Sequence, residues 1–209
     1  RDKLVTGVQT CALPIFLQRL VKKPWQVVNL AENGRSTKSF LEEGLFDRCL
    51  GQLSEGDWVF IQFGHNDSKD DEQRHTDPWT TYQGNLILMT DTVLEREAHP
   101  VLLTPICRRR FDEQGNLVQT HGDYPKAMIS LAKSRNYPVL DMTEKTYQLL
   151  AYLGPKESKK LFLHLEKQDH PNYPDGAADD THLNEWGANV VANLTLAQLR
   201  DLYSQVPFL

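Results

Sequence analysis

Four short apolar runs constrain this chain most: Val27-Val28-Asn29-Leu30, Trp58-Val59-Phe60-Ile61, Val101-Leu102-Leu103 and Val139-Leu140. They are continuous rather than alternating, which suits strands buried on both faces, and stretches of helical period separate them. Between the second and third runs, Tyr82, Leu86, Met89 and Val93 recur at steps of four, three and four, an apolar helical stripe that packs on a sheet. Ala127 and Leu131 point to a further helix, and Val190, Val191, Leu194 and Ala197 lie along one side of a closing helix from Asn184 to about Tyr203. The pattern predicts a three-layer α/β fold with a parallel sheet. Pro171 to Gly176 reads as a loop.

A chain of 209 residues, 40% of them hydrophobic, carries enough apolar side chain for one domain with a sizeable core. No run of about 18 apolar residues occurs, so no membrane span is expected, and the N-terminus lacks the apolar stretch of a secretory signal. The net charge of −5 is dispersed along the chain, which argues against a nucleic-acid partner. Arg108-Arg109-Arg110 is the one basic cluster, either a solvated loop or a grip on an acidic sugar chain. Cys11, Cys49 and Cys107 are odd in number and lack metal-ligand spacing, so neither a disulfide framework nor a zinc site is indicated.

Ligands of open parallel sheets collect beyond the carboxyl ends of the strands, and three polar segments stand there. Asn33-Gly34-Arg35-Ser36 follows the first run; it suits a turn, or a glycine N–H facing a ligand ahead of a helix. Gly64-His65-Asn66-Asp67 follows the second; Asn66 is suited to donate its amide to an oxyanion or to cap a turn. Asp179-Asp180-Thr181-His182 precedes the closing helix, and a carboxylate three residues before a histidine can fold back onto its ring. No Gly-rich phosphate loop follows any run, which disfavours a nucleotide site.

From about Phe16 onward these segments resemble the rhamnogalacturonan acetylesterase branch of the SGNH, or GDSL-like, hydrolases, whose blocks carry Ser, Gly, Asn and His on a flavodoxin-like sheet. Ile61-Gln62-Phe63, Thr104-Pro105 and His121-Gly122-Asp123-Tyr124-Pro125 also look like that branch. The resemblance implies that Gly34 and Asn66 form an oxyanion hole, that His182 is general base and acid, and that Asp179 orients it, with Asp180 the rival. It implies an acetylated polysaccharide substrate and no metal or organic cofactor. Rival readings are another acyl ester, such as acetylxylan, a lipid or a thioester, and a carbohydrate-binding protein without catalysis.

The family's Gly-Asp-Ser block is absent from the chain. Residues 1–15 match nothing in the family, and Thr6 to Ile15 resembles translated sequencing-adapter DNA, so a non-native segment is expected ahead of an SGNH domain at 16–209 that lacks its first strand. Leu4-Val5 is the pair that could stand in for that strand, yet Gln9, in the serine's place after Gly7, cannot attack a carbonyl. Loss of a central strand removes roughly 6 to 12 kcal/mol of apolar burial, comparable with the stability of a whole domain, so a poorly folded chain is expected.

Overall fold

The computed structural model describes residues 3–8, 13–203 and 206–209. Five strands form a parallel sheet: β1 (Lys3–Val8), β2 (Gln26–Asn29), β3 (Trp58–Gln62), β4 (His99–Leu103) and β5 (Val139–Leu140), in the order β2-β1-β3-β4-β5. The helices are α1 (Leu13–Leu20), α2 (Thr37–Glu42), α3 (Leu45–Leu50), α4 (Thr81–Glu95), α5 (Tyr124–Arg135), α6 (Met142–Glu157) and α7 (Glu185–Leu202). A separate antiparallel pair, β6 (Phe162–Leu165) and β7 (Ala177–Leu183), stands between α6 and α7.

The alternating side chains of the central strands divide the core into two layers. Trp58 and Phe60 of β3 and Val101 and Leu103 of β4 pack with Phe16 and Leu17 of α1, Leu150 of α6 and Val191 of α7. Val59 and Ile61 of β3 and Leu102 of β4 face the other way, against Phe40 of α2, Phe46 of α3, Leu86 and Met89 of α4 and Leu131 of α5. Runs that are apolar at every position are required because every position is covered, and each large side chain so buried contributes about 1.5 to 3 kcal/mol. The three-layer α/β expectation holds, and the stripe of Tyr82, Leu86, Met89 and Val93 is fully buried core.

One expectation is corrected. The place between β2 and β3 is occupied: Leu4 to Val8 pair with Trp58 to Gln62 on one side, and Lys3 to Thr6 with Gln26 to Asn29 on the other. Parallel pairing is made by backbone groups, so a segment of β-forming residues can fill it whatever its origin. Asp57 anchors the start of β1, its carboxylate accepting from Lys3 N at 2.9 Å and from Ser54 N at 2.9 Å. Helix α1 begins at Leu13, across the expected boundary at residue 16; Gln9, in the nucleophile's place, and Cys11 lie outside the described residues.

The end of the molecule that carries β7 is fixed by a close backbone approach. Gly187, in the first turn of α7, sits so near the Leu161 carbonyl that a Cβ would come within 2.0 Å of its oxygen. Asn184 caps the helix by accepting from Gly187 N at 2.9 Å and donates its amide to the carbonyls of Lys160 and Phe162. The start of α7 is thereby tied to β6 and to the turn before it, and β7 with its polar run is held in place.

Candidate active site

The three polar segments, two of them loops and the third inside β7, converge at the carboxyl ends of β2 and β3. Gly34, Asn66, Asp179 and His182 line one cleft of about 360 Å³, together with His65, Lys69, Arg74 and Arg108. A larger cavity of about 710 Å³ adjoins it, sharing Asn33, Asp179 and His182 and bordered by His170 and the 40%-exposed Tyr173. The cleft and the larger cavity share these walls and together form a longer groove.

Asp179 does fold back onto His182. Its Oδ2 lies 2.6 Å from His182 Nδ1, while Oδ1 accepts from the backbone N–H groups of Thr181 at 2.7 Å and His182 at 2.9 Å. Burial pushes the Asp179 carboxyl up, but the His182 backbone and ring and the Thr181 N–H outweigh it and hold the group below the usual carboxylate range. A charged carboxylate on Nδ1 fixes the tautomer with Nε2 free to accept a proton, and that ring is open, its side chain 61% exposed. Asp180 is otherwise engaged: its Oδ1 is 2.6 Å from Arg109 Nη1 and 2.8 Å from His164 Nε2. Of the two rival carboxylates, Asp179 is the one at His182.

Asn66 is 5% exposed and donates one amide hydrogen to the Arg35 carbonyl at 3.2 Å, with Arg74 Nη1 3.5 Å from its oxygen. The guanidinium marks that oxygen, so the second amide hydrogen remains for the cleft. Gly34 holds φ at +78°, a left-handed conformation that glycine adopts without strain, and its N–H meets no acceptor among the described residues. Two donors therefore remain unspent in one cleft, the arrangement needed to receive a developing oxyanion.

Asp67, fully buried, builds this geometry without facing the cleft. Its carboxylate accepts from Thr37 N at 3.0 Å, Thr37 Oγ1 at 2.5 Å, Thr76 Oγ1 at 3.1 Å and Gly64 N at 3.0 Å, clamping the turn after β3 to the start of α2. Burial drives its pKa upward against those four donors. Ser36 caps α2 through a reciprocal pair with Ser39, so the turn carrying Gly34 is anchored by its own helix. At Gly64, with φ +126°, a Cβ would meet Pro105 at 3.0 Å, and only glycine permits this close turn.

The basic cluster divides. Arg108 donates to the carbonyls of His65 at 2.9 Å and Thr120 at 3.1 Å and borders the cleft; Arg109 is bound to Asp180; Arg110 is exposed. Trp79 is exposed and outside the cleft linings, whereas Tyr82 is buried and donates to the Phe63 carbonyl. Sequence reasoning missed the buried pair His65 and His121, whose facing ring nitrogens are 2.9 Å apart. His121 stood only in a stretch noted for its resemblance, and nothing local tells that it meets a residue 56 positions away.

This pair makes the fold acid-sensitive. Burial, reinforced by the Arg108 charge, lowers His121 from 6.5 to about 3, and burial likewise holds His65 well below the usual imidazole range. Between those two values the unfolded chain binds a proton on His121 that the folded chain does not. The stability is therefore full above pH 6.5, and as the pH falls toward the folded value His121 alone removes about 1.4 kcal/mol per pH unit, with His65 adding to the loss. Denaturant titrations at pH 7 and pH 5 are expected to show the drop, and His121→Gln to make it shallower while His65 keeps its share. An acid limb unchanged in His121→Gln would assign it to other groups.

Residues 10–190 match the model of the GDSL-like Lipase/Acylhydrolase family. The chain belongs to that family. Its relatives include rhamnogalacturonan acetylesterase RhgT of Bacillus subtilis (strain 168), 47% identical over 84% of this chain and 75% of that protein. The probable rhamnogalacturonan acetylesterase YesY of the same organism is 35% identical over 90% of this chain and 82% of its own length. Among solved structures, Bacillus subtilis YxiM superposes with a TM-score of 0.78 at 20% identity, over 96% of this chain and 56% of that one. An acetylxylan esterase from Geobacillus stearothermophilus gives 0.66 at 17% identity, covering 95% and 94%. This GDSL-like protein is by family a carboxylic ester hydrolase, and its sheet and helices are those of the solved esterases.

Proposed function

We propose that this GDSL-like chain is a serine-type carbohydrate esterase that removes acetyl groups from a pectic polysaccharide such as rhamnogalacturonan, and that it is inactive as written because Gly-Asp-Ser is absent from its sequence. The observation that carries the reading is the convergence of Gly34, Asn66, Asp179 and His182 on one cleft. His182 Nε2 takes the proton of an attacking serine placed after β1, the tetrahedral oxyanion is received by Gly34 N–H and the Asn66 amide, and the sugar hydroxyl leaves with that proton. A water activated by the same nitrogen then releases acetate. Asp179 keeps the imidazole oriented through both steps.

A pectic substrate is favoured by two relatives that bear rhamnogalacturonan acetylesterase names. It is favoured also by the cations at the cleft: Lys69 and Arg108 have no carboxylate partner among the described residues, which suits a chain bearing uronate groups. The adjoining groove has room for further sugar units. No helix among the described residues is long and apolar enough to cross a membrane.

The test is acetate release from acetylated rhamnogalacturonan, with acetylated xylan in parallel. The chain as written is expected to release none above background, and a chain in which residues 1–15 are replaced by a strand ending in Gly-Asp-Ser to release acetate from the pectic polymer first. Release by the unaltered chain would place a nucleophile elsewhere. A restored chain that is folded yet silent on both polymers, or faster on xylan, would overturn the activity or the substrate respectively.

A further inference from the structure

His65 and His121 take no part in the acyl transfer, yet His65 lines the cleft beside Gly34, Asn66 and His182. Their protonation can be read from the far end of the chain of contacts. Gln119 Oε1 lies 2.9 Å from Thr120 N, 3.3 Å from His121 N and 3.3 Å from His121 Nδ1. Two backbone N–H groups can only donate, so the atom they share is the amide oxygen, and the ring nitrogen facing it carries a hydrogen. His121 is fully buried, His65 is 9% exposed, and the Arg108 guanidinium rests on the His65 carbonyl, all of which favour neutral rings. A neutral imidazole bears one N–H. His121 Nε2 is therefore an acceptor, His65 Nδ1 donates to it across 2.9 Å, and His65 Nε2 is left with a bare lone pair. That nitrogen has no partner among the described residues, and it belongs to the ring edge turned away from His121.

We infer that His65 Nε2 is a fixed hydrogen-bond acceptor for a free hydroxyl of the sugar bound in the cleft, held in that state by the relay from Gln119 through His121. The inference rests on the carbohydrate-ester reading of the cleft. It separates His65 from the oxyanion donors: Gly34 and Asn66 offer hydrogens to a developing charge, whereas His65 can only receive one from a neutral O–H. An acyl ester with no hydroxyl beside the reacting carbonyl leaves the lone pair unmatched, so the relay selects polyol esters over simple alkyl ones.

The experiment uses the full chain as written, with 15N-labelled histidine, and needs no catalysis. At pH 7 the His65 signals, assigned by their loss in His65→Gln, are expected to show Nδ1 protonated and Nε2 unprotonated. Adding an acetylated rhamnogalacturonan oligosaccharide is expected to move Nε2 toward the hydrogen-bonded range. His65→Phe should weaken that ligand about 10-fold and its counterpart O-methylated beside the acetyl group less than twofold. His121→Leu, which keeps His65 but removes its acceptor, should shift the proton to Nε2 and weaken the unmethylated ligand similarly. A protonated Nε2 in the unaltered chain overturns the inference, as does glycan binding that leaves Nε2 unmoved. If neither ligand binds while the spectrum is as expected, the carbohydrate reading fails and the sugar hydroxyl with it, and the acceptor state is established by the spectrum alone.

Discussion

His182→Ala, made in the chain whose residues 1–15 are replaced by a strand ending in Gly-Asp-Ser, is expected to lower kcat on acetylated rhamnogalacturonan by on the order of 10⁴- to 10⁶-fold. The size follows from its double duty. The imidazole takes the proton of the nucleophile in the first step and activates water in the second, so its loss leaves both steps without a base. Substrate binding is carried by the rest of the groove, so KM should move little. The side chain is 61% exposed, and among the described residues its ring makes a hydrogen bond to Asp179 and to no other group, so folding is expected to survive the change. Acetate release with a parallel melting curve checks both halves; a loss below about 10-fold in a folded variant removes His182 from the mechanism. Asp179→Asn probes the same arm, because an amide on Nδ1 no longer enforces the tautomer set by the 2.6 Å carboxylate contact.

Asn66→Ala in the same restored chain should cost about 10²- to 10³-fold in kcat if its second amide hydrogen meets the oxyanion. The effect is smaller than that of His182 because the Gly34 N–H and the backbone of the restored serine remain as donors. Asn66 also donates to the Arg35 carbonyl, one residue beyond Gly34, so its removal could act by releasing that turn. The kinetics separate the two. Loss of a donor engaged only in the transition state lowers kcat with KM unchanged, whereas a displaced turn disturbs binding and shows as a raised KM. A variant that keeps full turnover would leave Asn66 as a capping residue of the turn after β3.

The strands and the main helices were legible because burial imposes a period that a single chain displays. Trp58 to Ile61 is apolar throughout since β3 is covered on both faces, and the α4 stripe repeats because one side of that helix meets the sheet. The antiparallel pair β6 and β7 was not legible: Ala177 to Leu183 alternates half-buried and exposed residues, two of them aspartates, and it reads as a polar stretch ahead of a helix. The central strand was read as missing because its residues do not follow the family, yet backbone pairing accepts them between β2 and β3.

At the site, the sequence by itself determined the chemistry on offer, an amide just after an apolar strand and an imidazole with paired carboxylates just ahead of a helix, and the Asp-x-x-His spacing of the resembled family selected the local pair that the structure holds at 2.6 Å. Tertiary structure alone decided the rest. It turned Asp180 to Arg109 and His164, set Asp67 as a clamp on Thr37 and Thr76, and joined His65 to His121. The physical reason is separation along the chain. A contact within three or four residues is governed by local backbone geometry and is written in the spacing, whereas partners tens of residues apart meet only where the sheet order brings their loops to one edge.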